Sequence, residues 1–154
     1  MKQVLQSFKN GETIVAETPS PNFNSGQALI KTNISLISYG TEKSLIEFGK
    51  ANYLSKIKSQ PDKVKLVLDK IKSDGILETY ESINSKLDKP IPLGYCNVGK
   101  VISVGDNVSS LKPGDRVVSN GPHAEVIAVN ENLVAKIPDQ LSDEEAVFTV
   151  LASI

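Results

Sequence analysis

The apolar residues change periodicity twice along these 154 residues, and this restricts the fold more than any other feature. Toward both ends they alternate with a period of two. Between the ends they recur every three to four residues. "QVLQSF" and "TIVAET" are short alternating runs separated by "KNGE", a hairpin signal. After the loop "SPNFNSG", the run "QALIKTNISLIS" reads as one long strand, with Ala28, Ile30, Ile34 and Ile37 as its inward side. "GKVISVG", "RVVSN", "AEVIAV" and "NLVAKIP" repeat the rule behind the turn-rich connection "DNVSSLKPGD". Several short strands punctuated by Gly and Pro predict a sandwich or barrel.

The middle of the chain is of another kind. "SLIE" at Ser44–Glu47 has the spacing of a capping box and predicts a helix starting there. Val64, Val67, Leu68 and Ile71 form a helical stripe between Pro61 and Gly75. Ile76, Tyr80, Ile83 and Leu87 form another, closed by Pro90. The prediction is therefore a mainly β domain with an α-helical insertion over about residues 42–90, between two barrel strands. Lys63, Lys65, Lys70 and Lys72 make a basic helical face, read as solvated surface or as an anion-binding surface.

Composition narrows the function classes. Seventeen basic and eighteen acidic residues leave a net charge of −1, which gives nucleic acid no electrostatic reason to bind. No apolar run approaches membrane-spanning length and no signal-peptide pattern opens the chain, so a cytoplasmic protein is the expectation. The single Cys excludes an intrachain disulfide and a four-Cys zinc site. The apolar end "AVFTVLASI" reads as a helix that continues, and the chain as a piece of a longer protein.

"PLGYCNVGKVISVGDNVSSLKPGDRVV", Pro92–Val118, carries the most specific pattern. Gly105 is expected at positive φ in the turn after its strand. "KPGD" is expected to turn, with the Asp115 carboxylate accepting backbone N–H groups. With "SLISYGTE" before it and "HAEVIAVNENLVAKIPDQLSDEEAVF" after it, the stretch resembles the GroES-like catalytic domain of the medium-chain dehydrogenase/reductase superfamily. The helical insertion resembles that of bacterial bi-domain oxidoreductases, whose dehydrogenase half is fused to a half of the glucose-fructose oxidoreductase (Gfo/Idh/MocA) type. Several of these are associated with cell-surface polysaccharide synthesis. The resemblance implies a partly open GroES-like β-barrel over residues 1–145. Residues 146–154 would begin the helix leading to a Rossmann domain. No G-x-G-x-x-G occurs in the chain, so NAD or NADP would be bound outside it and the 154 residues alone should be inactive.

The same resemblance poses a metal question. Zinc-dependent members hold the ion with the Cys of C-G-T-D and the His and Glu of G-H-E. Here Tyr39 stands at the Cys position, Tyr95 at the His position and Cys96 at the Glu position. A neutral phenol is a poor zinc ligand, so the resemblance implies a zinc-independent enzyme. Thr41 matches the hydroxyl that starts the proton relay in the zinc alcohol dehydrogenases. It also suits a helix cap. The relay His maps near Ser44, a departure from the pattern. Tyr39, Tyr95, Cys96 and His123 are candidate pocket residues, with a phenol as hydrogen-bond donor or acid. Taken alone, Cys96 reads first as a small, buried, inert thiol and His123 as a hydrogen-bonded surface or loop histidine. The expected activity is NAD(P)-dependent oxidoreduction of a small molecule, in sugar or surface-polysaccharide metabolism. The alternatives are a non-enzymatic binding or assembly module, and a metal enzyme with unorthodox ligands.

Overall fold

The computed structural model describes residues 1–50 and 88–152, together with Asp69, Gly75 and Glu78. The strands are β1 (Lys2–Gln6), β2 (Thr13–Glu17), β3 (Gln27–Ser35), β4 (Ile91–Pro92), β5 (Asn97–Val104), β6 (Arg116–Ser119), β7 (Val126–Asn130) and β8 (Val134–Lys136). The helices are α1 (Tyr39–Lys50), α2 (Asp143–Ala146) and α3 (Thr149–Ala152), with a 3-10 turn at Glu131–Leu133. Two sheets result, one of order β2-β1-β4 and one of order β7-β3-β5-β6-β8. The mainly β architecture is the one the periodicity predicts, and of the expected helical insertion the described residues carry α1.

β3 is the spine of the larger sheet, antiparallel to β7 on one side and to β5 on the other. Its alternation works as the sequence requires. Ala28 and Ile30 are fully buried, and Lys31 between them and Thr32 is exposed. Ile30 lies opposite Val101 and Ile127, and all three enter one apolar cluster with Leu111, Val117, Ala124 and Val129. Full burial of a side chain such as Ile30 stabilises by about 1.5–3 kcal/mol. A second cluster forms on the other side from Cys96, Val98, Ile137, Ala146 and Val147. Register shifts interrupt the β3–β5 pairing at Leu29/Ile30 and at Thr32/Ile34, which lets one strand serve both clusters.

Several local expectations are corrected. β3 ends at Ser35, and Ile37, expected inside, is 72% exposed in the connection to α1. Helix α1 starts at Tyr39, ahead of the apparent capping box. Ser44 is thus an interior residue whose Oγ donates to the Gly40 carbonyl one turn back at 2.9 Å. Gly105 does not take positive φ. It is glycine for lack of space, because a Cβ there would run into the Asn24 and Ser25 carbonyls. The positive φ of that region belongs to Gly114, at +96° in the "KPGD" turn. Asp115 behaves as expected and accepts the Lys112 N–H at 3.0 Å. The helical stripes of Val64–Ile71 and Ile76–Leu87 and the basic face at Lys63–Lys72 lie outside the described residues.

The chain divides into two compact units. One comprises Met1–Val4, Val15–Tyr39 and Pro92–Ile154, and holds the five-stranded sheet, both apolar clusters and α2. The other comprises Leu5–Ile14 and Gly40–Ile91. Within it the Phe8 and Phe48 rings meet edge to face at 5.5 Å, and the buried Gln6 accepts the Thr13 hydroxyl at 2.5 Å. No helix of the described residues is long and apolar enough to cross a membrane.

Candidate functional site

The first unit carries a cleft of about 500 Å³ along the open edge of its larger sheet. Its apolar wall consists of Val118, Leu133, Ile137, Leu141, Ala146 and Val150. Two strand pairings and one helix assemble it. β6 is fixed between β5 and β8, with Val118 opposite Ala135. α2 closes one end, started by a capping box in which Ser142 Oγ accepts the Glu145 N–H and the Glu145 carboxylate accepts the Ser142 N–H.

A charged latch holds α2 against the sheet. The Arg116 guanidinium reaches the Asp143 carboxylate at 2.8 Å and the Leu141 carbonyl at 2.8 Å. Asn33 Nδ2 donates to the other Asp143 oxygen at 2.9 Å. Asn33 and, after it, Arg116 hold the Asp143 carboxyl below its ordinary value. Lys136, on the cleft wall, has its ammonium on Asp115 at 2.9 Å. That bond, with the Lys112 N–H second, lowers the Asp115 carboxyl as well. The cleft is thus apolar inside, with Asn120 and Asn132 as its amides and a lysine already neutralised. Such a lining suits an uncharged small molecule with one or two polar groups.

The structure separates the residues the sequence grouped. Tyr95, in the connection from β4 to β5, is half-buried and lines the cleft. Cys96, one residue on, is fully buried in the second apolar cluster, as a small core thiol would be. His123 is 8% exposed and does not line the cleft; its Nδ1 lies 2.8 Å from Ser35 Oγ. The imidazole rests on Gly94, where an added Cβ would sit 2.7 Å from three ring atoms. Gly94 has φ +91°, so backbone and space both demand glycine there. The loop is pinned on both sides, since Val4 N–H donates to the His123 carbonyl at 2.9 Å and His123 N–H to the Leu93 carbonyl at 2.8 Å. Tyr39, the first residue of α1, is 76% exposed. Thr41, two residues on, is exposed and belongs to the second unit. It lies inside α1 and not at its cap position.

Sequence reasoning missed Asn120, Asn132 and Thr149 as cleft residues. The two asparagines lie in connections, where such residues serve turns everywhere, and nothing local marks them out.

Tyr39, Tyr95 and Cys96 stand at the three positions that the metal question concerns. Two of the three relevant positions are phenols and the third is a thiol inside the core. Among the described residues no three His, Cys, Asp or Glu side chains come together as a metal ion requires. A dinucleotide has no phosphate-cradling Gly-rich turn here either.

Residues 70–139 match the alcohol dehydrogenase GroES-like domain family. Over 96% of the chain the structure superposes on galactitol-1-phosphate dehydrogenase from Escherichia coli, with a TM-score of 0.65 and 20% identity. The fold is GroES-like. It is the fold of the N-terminal domain of the medium-chain dehydrogenase/reductase superfamily. The quinone oxidoreductase of Coxiella burnetii matches 96% of this GroES-like chain at a TM-score of 0.60 and 22% identity. A mycobacterial protein solved in complex with NADPH does so at 0.60 and 20%. The chain spans 41%, 40% and 35% of the length of these three structures, respectively. A 56-residue stretch is 43% identical to a highly reducing polyketide synthase of Gibberella zeae, covering 35% of this chain and 2% of the synthase.

Proposed function

We propose that this GroES-like domain is the substrate-side part of a zinc-independent, NAD(P)-dependent oxidoreductase that acts on an uncharged carbonyl or alcohol. The observation that carries the reading is Tyr95. At the position where a zinc-dependent relative keeps a histidine ligand, this chain puts a phenol on the wall of an apolar cleft. A nicotinamide held by residues outside the 154 would supply or accept the hydride. This chain's own contribution is to exclude water, to orient the substrate against the Val118–Ile137–Val150 wall, and to present the Tyr95 hydroxyl to the substrate oxygen. Thr41 remains a second candidate for proton transfer. The resemblance of the helical insertion to that of bi-domain bacterial proteins favours a bacterial, cytoplasmic enzyme of sugar or surface-polysaccharide metabolism.

The test is to express the complete gene product without a metal-affinity tag and follow NADH and NADPH oxidation against quinones, aldehydes and ketoses. Metal content is measured on the same preparation. Turnover with well under one zinc per chain supports the proposal. Stoichiometric zinc lost with Cys96→Ser would replace it by a metal enzyme with unorthodox ligands. Lack of turnover with every pair, in a folded protein, would favour the binding or assembly module.

A further inference from the structure

We propose that Asn120 is a site of spontaneous deamidation that converts the rim of the cleft from neutral to anionic. The chain has two Asn-Gly steps, Asn10-Gly11 and Asn120-Gly121. Asn-Gly is where a peptide nitrogen most readily reaches the preceding carboxamide, because glycine has no side chain to obstruct it. The structure treats the two steps differently. Asn10 is held at both ends of its amide: Nδ2 donates to Glu12 Oε2 at 2.7 Å and Oδ1 accepts the Glu12 N–H at 3.1 Å. Its glycine is fixed in a turn at φ +73°. Asn120 lies in an exposed bend just past the end of β6. Its backbone N–H reaches Leu133 O at 3.4 Å. Among the described residues no hydrogen bond holds its carboxamide or the Gly121 N–H.

The reaction needs only water. The Gly121 nitrogen loses its proton to solvent base and bonds to Asn120 Cγ. The Cγ–Nδ2 bond breaks and ammonia leaves. Water then opens the resulting succinimide to aspartate or isoaspartate. The product places a carboxylate on a wall whose other side chains are apolar, amide or hydroxyl, and whose lysine is already committed to Asp115. Anionic ligands would then be repelled from the cleft. The inserted backbone carbon of the isoaspartyl form would also lengthen the connection from β6 to β7.

The experiment is to age the folded 154-residue protein in warm, mildly alkaline buffer and map it with trypsin. Peptide Val117–Lys136 should gain the mass of an amide-to-acid change several-fold faster than Asn10–Lys31. Fragmentation should localise the change to residue 120 and resolve an isoaspartyl form. Asn120→Gln, checked for an unchanged melting curve, should abolish it. The proposal is overturned if Val117–Lys136 stays unmodified over a period in which the urea-unfolded chain converts. It is equally overturned if the Asn10 peptide converts as fast, or if the change in Val117–Lys136 survives Asn120→Gln.

Discussion

Gly94 and Tyr95 are neighbours whose roles differ entirely. Gly94 is a backbone device: at φ +91° and with the His123 ring against it, it admits no side chain. Gly94→Ala should destabilise the protein by about 1–3 kcal/mol, through strain at positive φ and displacement of the imidazole. Urea unfolding followed by circular dichroism would measure it. Tyr95 carries chemistry in the proposed reading. In the complete gene product Tyr95→Phe should lower kcat by about 10²-fold or more, with the fold unchanged and KM altered far less. An unaltered kcat would remove the phenol from the mechanism. The sequence made Tyr95 legible because a strong pattern surrounds it. The same pattern made Cys96 look equivalent, and strand geometry decides otherwise. It enters the core with Val98, and neither residue reaches the cleft.

Among the elements, α2 shows how four residues can be held in place. Its capping box supplies the local signal, and the Arg116–Asp143–Asn33 latch supplies the long-range one. Asp143 has a carboxyl held below its ordinary value. The stabilisation it gives is therefore complete above the ordinary aspartate range and disappears as pH falls through the lowered one. Asp143→Asn should cost on the order of 1 kcal/mol at neutral pH, the latch being partly screened by solvent. It should also flatten the acid limb of the melting temperature against pH. An acid limb as steep as that of the unaltered protein would show that other carboxylates set it. The start of α1 was misread from sequence for a physical reason. Ser44–Glu47 has the spacing of a cap, but the chain is already helical from Tyr39, and the serine hydroxyl turns back onto a carbonyl.

For the whole molecule, alternation made the strands and the principal core readable in advance, because burial on one face of a sheet writes itself into every second residue. Ile30 is the clearest case, and Ile30→Ala should cost about 2–5 kcal/mol in equilibrium unfolding. The cleft was not readable. It joins Tyr95 to residues 118–120 and 132–138 and to Leu141, Ala146, Thr149 and Val150, and their proximity follows only from the β5-β6-β8 pairing and the docking of α2. Asn120, Asn132 and Thr149 within it carry no signal of their own.

The seclusion of Cys96 has a practical use. The chain's one thiol is wholly covered, so a thiol reagent in solution can reach it only when the second cluster opens. Its modification rate in the native protein, divided by that in urea, is then a direct gauge of how often β5 parts from α2. Arg116→Lys, which weakens the latch while leaving Cys96 itself untouched, should quicken that reaction before any change in the far-ultraviolet spectrum.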